Sequence, residues 1–64
     1  MATILIETLI GKTDEQKKAV VEGITDIIHK HMGVPKHDTR IIFLEVQKNC
    51  VAQGGKLFTE KFPP

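Results

Sequence analysis

The sequence predicts an α/β fold made of one β-α-β unit with a short C-terminal hairpin or edge strand. Three features predict it: an apolar strand-like run at the start of the chain, a capped amphipathic helix behind it, and a second, β-branched apolar run after a Gly/Pro stop. Strand, about twenty residues of helix, then strand is a crossover unit, which leaves its two strands parallel and is right-handed. Residues 1–64 are expected to form one domain.

The first run, TILIETLI, places Leu5, Glu7 and Leu9 on one strand face and Ile4, Ile6, Thr8 and Ile10 on the other, so both faces are largely apolar. It begins too early for a linker or leader to precede it, which predicts that the terminal amine sits beside packed structure. Gly11 and Lys12 form a short turn. Thr13-Asp14-Glu15-Gln16 then matches a capping box, with Thr13 as N-cap and Gln16 reaching back to it.

Along the helix Val20, Val21, Ile24, Ile27, Ile28 and Met32 recur at intervals of three and four, opposite Lys17, Lys18, Glu22 and Asp26. Asp14 and Glu15 in the first turn, and His29, Lys30 and His31 in the last, suit the helix dipole. Gly33 and Pro35 stop the helix. The histidines are read as solvated helix-end groups, and His37 as a polar loop residue.

TRIIFLEVQ follows, nearly continuous in apolar character from Ile41 to Leu44, and reads as the central strand, buried on both faces. The tail NCVAQGGKLFTEKFPP predicts a turn around Asn49, a flexible Gly54-Gly55 pair and a short apolar end at Leu57 and Phe58. That end could pair as a hairpin or on a neighbour. Phe62-Pro63-Pro64 is expected to be extended.

A chain of this length buries too little surface to be very stable by itself. The single cysteine, Cys50, excludes an intrachain disulfide and suits a reducing compartment. It is read as a packing residue rather than a nucleophile. His29 and His31 are two residues apart on a helix and point about 200° apart, so they cannot share an ion, and neither CxxC nor HxxxH occurs. No metal or cofactor is predicted. One helix covers one sheet face, and the tail is too short to cover the other, so a second subunit is expected to do so.

Nine Lys+Arg against eight Asp+Glu give a net charge of +1, without a basic cluster, Tyr or Trp, which argues against nucleic acid. The longest apolar stretch is far short of a membrane span, and a basic signal-peptide region is lacking. A cytoplasmic protein with no membrane partner is expected.

GKTDEQK at the helix start, TRIIFLE with its arginine, and the glycine pair of AQGGKL together resemble the 4-oxalocrotonate tautomerase family over nearly the whole chain. The first resembles the family's G-R-S/T-D-E-Q-K in all but one position. The resemblance implies a tautomerase-like homohexamer, a trimer of dimers in which each subunit gives two strands to a shared sheet. It also implies a mechanism. An N-terminal proline, exposed by loss of the initiator methionine, moves a proton between a dienol oxygen and a distant carbon. Arginines from neighbouring subunits bind the substrate carboxylates, and an apolar site with a tail aromatic lowers the amine's pKa.

By that resemblance the catalytic positions are Ala2 and Arg40, and the substrate-binding positions are Lys12, Arg40, Leu9 and Val51. Arg40 matches the strand arginine, and its planar guanidinium suits a bidentate grip on a carboxylate or a developing enolate. Lys12 replaces the loop arginine and keeps the charge without the fork. Val51 replaces the tail aromatic and is expected to widen the pocket. Ala2 replaces the proline, exchanging a secondary amine for a primary one, a type that titrates near about 7.7 to 8.0. Removal of Met1 exposes the Ala2 amine as a base. If Met1 stays, Ala2 nitrogen is a non-basic amide and the Met1 amine is displaced by about 3.3 to 3.8 Å.

Three functions compete. The first is an isomerase interconverting enol and keto forms of a small 2-oxo or dicarboxylic acid, with the terminal amine as base and Arg40 and Lys12 as clamps. The second is a non-catalytic or diverged tautomerase-fold hexamer that binds a small carboxylate. The third is a hydratase or dehalogenase of an unsaturated acid, for which Glu7 and Gln53 have no evident water-activating role. In the bland reading, Arg40 is an interface salt bridge to Glu7 or Glu45 and Lys12 a solvated turn residue.

Overall fold

The computed structural model describes residues 1–61, so the extended ending expected at Phe62-Pro63-Pro64 lies outside the described residues. Strand β1 (Ala2–Leu9) leads through the Gly11–Lys12 turn into helix α1 (Asp14–Met32), and strand β2 (Thr39–Val46) returns beside β1. The two strands are parallel, in register from Ala2 opposite Thr39 to Leu9 opposite Val46. This is the predicted β-α-β unit.

Both helix ends form as local chemistry demands. The Thr13 N–H donates to Gln16 Oε1 at 2.8 Å and the Gln16 N–H donates to Thr13 Oγ1 at 3.1 Å, a complete capping box. At the other end Gly33 adopts φ 71°, and its N–H donates to the His29 carbonyl at 3.1 Å. His29 is more than a solvated terminal group. Its Nδ1 lies 3.0 Å from the Val34 carbonyl, an acceptor-only oxygen, so Nδ1 carries the proton and ties down the chain leaving the helix.

Side-chain alternation along the strands sets two unequal sheet faces. Ile4, Ile6, Ile41 and Phe43 are half-buried on the α1 side, whereas Leu5, Ile42 and Leu44 are 61%, 37% and 45% exposed on the other. The expectation that β2 is central and buried on both faces is corrected. Among the described residues β2 pairs only with β1, and none of them covers Leu5, Ile42 and Leu44 in the middle of the second face.

The helix stripe is likewise narrower than predicted. Val21, Ile24 and Ile28 are half-buried, but Val20, Ile27 and Met32 remain 42%, 59% and 64% exposed. Two strands about 4.8 Å apart make a surface narrower than a helix about 10 Å across, so one flank of α1 overhangs the sheet. Lys17, on the covered side, pairs with Glu45 of β2 and lies 5.9 Å from the centre of the Phe43 ring. Helix and sheet are thereby joined by charge as well as by apolar contact.

The tail forms a single 3-10 turn at Lys48–Cys50, then an antiparallel hairpin of β3 (Ala52–Gln53) and β4 (Lys56–Leu57). Gly54 and Gly55 stand at φ 64° and 80°, the two successive positive values that a tight type I′ hairpin turn requires. Phe58 does not extend the hairpin. It begins a short helix, α2 (Phe58–Lys61), and its N–H donates to the Val51 carbonyl at 2.9 Å.

The single chain is open for its size. Its radius of gyration is 15.0 Å, against about 11 Å for a compact domain of this length. It exposes 5021 Å², against about 4,100 Å² for a folded monomer of this mass. The excess, about 900 Å², is comparable to what one partner buries in a protein interface of standard size. No described side chain reaches full burial.

Candidate active site

The predicted site residues fall into groups at the two ends of β1. At its start, the parallel register sets Ala2 opposite Thr39 and Thr3 opposite Arg40. Met1, His37, Asp38, Thr39 and Arg40 line one cleft there. Met1, which carries the chain's terminal amine, and the single arginine therefore line the same cleft.

Arg40 is exposed and belongs to the strand face turned away from α1, beside Leu5 and Ile42. The suggested salt bridge from Arg40 to Glu45 does not form: the two stand five residues apart on one strand and so face opposite ways, and Glu45 is taken by Lys17. The Met1 amine meets Asp38 Oδ2 at 3.2 Å, both groups being well exposed. Asp38 was not singled out in the sequence, because an aspartate beside a turn ordinarily needs no explanation.

At the far end of β1, Leu9 and Val51 line a second cleft with Glu7, Thr8, Val46 and Phe58. The expected widening at Val51 is offset, since Phe58 brings aromatic surface to the same cleft. The α2 turn places it there. Its signal in the sequence was only that an aromatic follows the glycine hairpin.

Lys12 lies near that end, in a groove of about 120 Å³ with Ile6, Thr8, Gln16, Lys17, Val20 and Phe43. Thr8 borders both this groove and the Leu9–Val51 cleft. From Ala2 to Leu9 the strand spans about 23 Å, at about 3.3 Å per residue. One chain thus brings Met1 to the cleft of Arg40 and Leu9 to that of Val51, with the Ala2 side chain on the α1 face and Arg40 on the other, but it does not bring the two ends together.

Cys50 is exposed, with its thiol 3.5 Å from Asn49 Oδ1. Among the described residues no group of three or more His, Cys, Asp or Glu could hold a metal ion, and no helix is long and apolar enough to cross a membrane.

Comparison with known proteins agrees with this architecture. The family model described as tautomerase enzyme matches residues 3–61. A probable tautomerase of Listeria monocytogenes is 36% identical over 55 residues, covering 86% of this chain and 90% of its own. Among solved structures, a 4-oxalocrotonate tautomerase homologue superposes with a TM-score of 0.88 at 30% identity, covering 94% of this chain and 95% of the other. A heterohexamer 4-oxalocrotonate tautomerase from Chloroflexus aurantiacus gives a TM-score of 0.85 at 27% identity, covering 94% and 97%. With the β-α-β unit in place, these matches establish that the chain belongs to the tautomerase family.

Proposed function

We propose that this protein is an isomerase that interconverts enol and keto forms of a small 2-oxo or dicarboxylic acid of the 2-hydroxymuconate type, with its amino-terminal nitrogen as general base. The observation that carries the reading is the cleft shared by the terminal amine and Arg40. The neutral amine accepts the dienol hydroxyl proton, and the resulting ammonium returns that proton to carbon. No proton is gained or lost overall, and the reaction needs no co-reactant or cofactor.

Arg40 holds a substrate carboxylate or stabilises the charge on the enolate oxygen as the proton leaves. Lys12 is assigned to a second carboxylate, and Leu9 and Val51 to an apolar wall that keeps water from the amine. The length of β1 exceeds the span of a small dicarboxylic acid, so the complete site needs the Leu9 end of one chain against the Ala2 end of another. Self-association, proposed as a homohexamer of three dimers, meets that need and covers Leu5, Ile42 and Leu44. The excess exposed surface and the hexameric state of the Chloroflexus relative support it. A cytoplasmic location accords with the lone cysteine.

The test is ultraviolet-monitored ketonisation of 2-hydroxymuconate by the purified protein, its Ala2→Pro variant and its Arg40→Ala variant. Enzymatic decay that Arg40→Ala abolishes supports the assignment. Activity only in Ala2→Pro would mean an intact pocket lacking a competent base. Silence in both the unmodified chain and Ala2→Pro would overturn the reading in favour of a carboxylate-binding hexamer.

A further inference from the structure

The cleft at the Leu9 end of β1 takes its shape from the tail hairpin. Ala52 pairs with Leu57 and Gln53 with Lys56, so Val51 and Phe58 stand opposite each other as the next pair out. The Phe58 N–H donates to the Val51 carbonyl at 2.9 Å and holds that opposition, although α2 begins at Phe58. Opposed residues of an antiparallel pair send their side chains to one face, with Cβ atoms about 4.5 to 5.5 Å apart. Both side chains accordingly line one cleft of about 220 Å³ with Leu9, Val46, Thr8 and Glu7. Phe58 is half-buried there, whereas its neighbour Leu57 is 41% exposed.

We propose that Phe58 is a specificity-determining residue of the candidate site, whose ring forms the flat apolar wall against which a planar, unsaturated carbon chain lies. The proposal rests on this cleft being one half of the isomerase site. Leu9, Val46 and Val51 offer only aliphatic surface, and among the described residues lining the cleft Phe58 alone carries an aromatic ring. Only that ring has a π-face to stack on a conjugated substrate. The aromatic that the resemblance places at position 51 is thus supplied from across the same hairpin.

Glu7 narrows the substrate class further. It is exposed and lines the same cleft, so its carboxylate disfavours a second negative charge beside it. The uncharged, unsaturated stretch of the substrate therefore enters this cleft, while its carboxylates lie toward Arg40 and Lys12. A saturated chain of equal length gains the apolar contact without the stacking, because it is neither flat nor conjugated. Phe58 thereby favours conjugated acids over saturated ones of the same length.

The experiment titrates trans,trans-muconate, a flat conjugated diacid, and adipate, its saturated counterpart, into the unmodified chain, Phe58→Leu, Phe58→Val and the double variant Val51→Phe with Phe58→Val. Isothermal calorimetry reads Kd, and sedimentation velocity checks that each variant keeps the assembly of the unmodified chain. The unmodified chain should bind muconate more tightly than adipate. Phe58→Leu keeps apolar bulk but loses the ring, and should weaken muconate about three- to tenfold and adipate less than about twofold. The double variant should bind muconate within about twofold of the unmodified chain and better than Phe58→Val, since the ring returns to the same face from the opposite strand. Equal losses for both diacids, no preference for muconate in the unmodified chain, or a double variant no better than Phe58→Val overturns the proposal.

Ketonisation is the second readout, made in whichever of the unmodified chain and Ala2→Pro is active. Phe58→Leu should lower kcat/KM for 2-hydroxymuconate by a similar factor, mainly through KM, and the double variant should recover it. An unchanged kcat/KM in Phe58→Leu overturns the proposal. If neither the unmodified chain nor Ala2→Pro turns over the dienol, the isomerase reading fails, while the muconate titration still decides the role of Phe58.

Discussion

Ala2 and Leu9 close the two ends of the same strand, about 23 Å apart, and each end carries half of the candidate site: Arg40 beside Ala2, and Val51 and Phe58 beside Leu9, with Lys12 nearby. In the proposed function a site divided in this way is completed between chains. Its behaviour in mixed oligomers follows.

Arg40→Ala and Lys12→Ala are each expected to be impaired alone. Unfolded together, mixed in equal amounts and refolded, they should regain roughly a quarter of unmodified activity, because half of the sites receive an intact Arg40 and half of those an intact Lys12. The measurement is ketonisation before and after mixing. No recovery would mean that both residues act within one chain.

The two cations differ in weight. Loss of a charge-assisted hydrogen bond costs about 1.5 to 3 kcal/mol, so Arg40→Ala should lower kcat/KM roughly 10- to 100-fold. Lys12→Ala should cost less and act mainly through KM, since an ammonium binds a carboxylate without orienting it. Lys12→Arg should equal or exceed the unmodified chain. Steady-state kinetics separate these outcomes.

Leu44 lies 45% exposed on the uncovered face, opposite Glu7 in the strand register. Leu44→Asp would put a charge into an interface formed there, and removing a charge from water without a partner costs several kcal/mol. The variant should therefore dissociate at micromolar concentration, where the unmodified chain stays assembled. Sedimentation velocity checks this, and an unchanged sedimentation coefficient would rule out that face as the interface.

Thr13→Ala removes the acceptor for the Gln16 N–H while leaving every other helix contact in place. The cost is about 1 kcal/mol, a fall in Tm of about 4 to 8 °C for a domain of this size. Subunit association also moves Tm, so the comparison is made at one protein concentration. An unchanged Tm would show that assembly, rather than the cap, limits unfolding.

The β-α-β unit and its caps were legible in the sequence because their signals are local, whereas the α2 turn at Phe58 was not. The capping box spans four consecutive residues, Gly33 ends the helix through its own backbone freedom, and the alternation Ile4, Leu5, Ile6, Glu7 already separates the two strand faces. Arg40 was legible as a candidate through the resemblance of TRIIFLE to the family's arginine-bearing strand. The Gly54-Gly55 pair announced its hairpin turn just as directly.

What needed the tertiary structure depends on which strand ends meet. The sequence by itself determined the order of elements, the helix caps and the residues able to carry the chemistry, because periodicity and capping act over three or four residues. Only the tertiary structure decided that Asp38 reaches the amine, that Phe58 joins Val51, that α1 overhangs its sheet, and that the two halves of the site stand apart. These follow from parallel register and from the width of a two-stranded sheet, which arise when segments tens of residues apart in the chain are brought side by side.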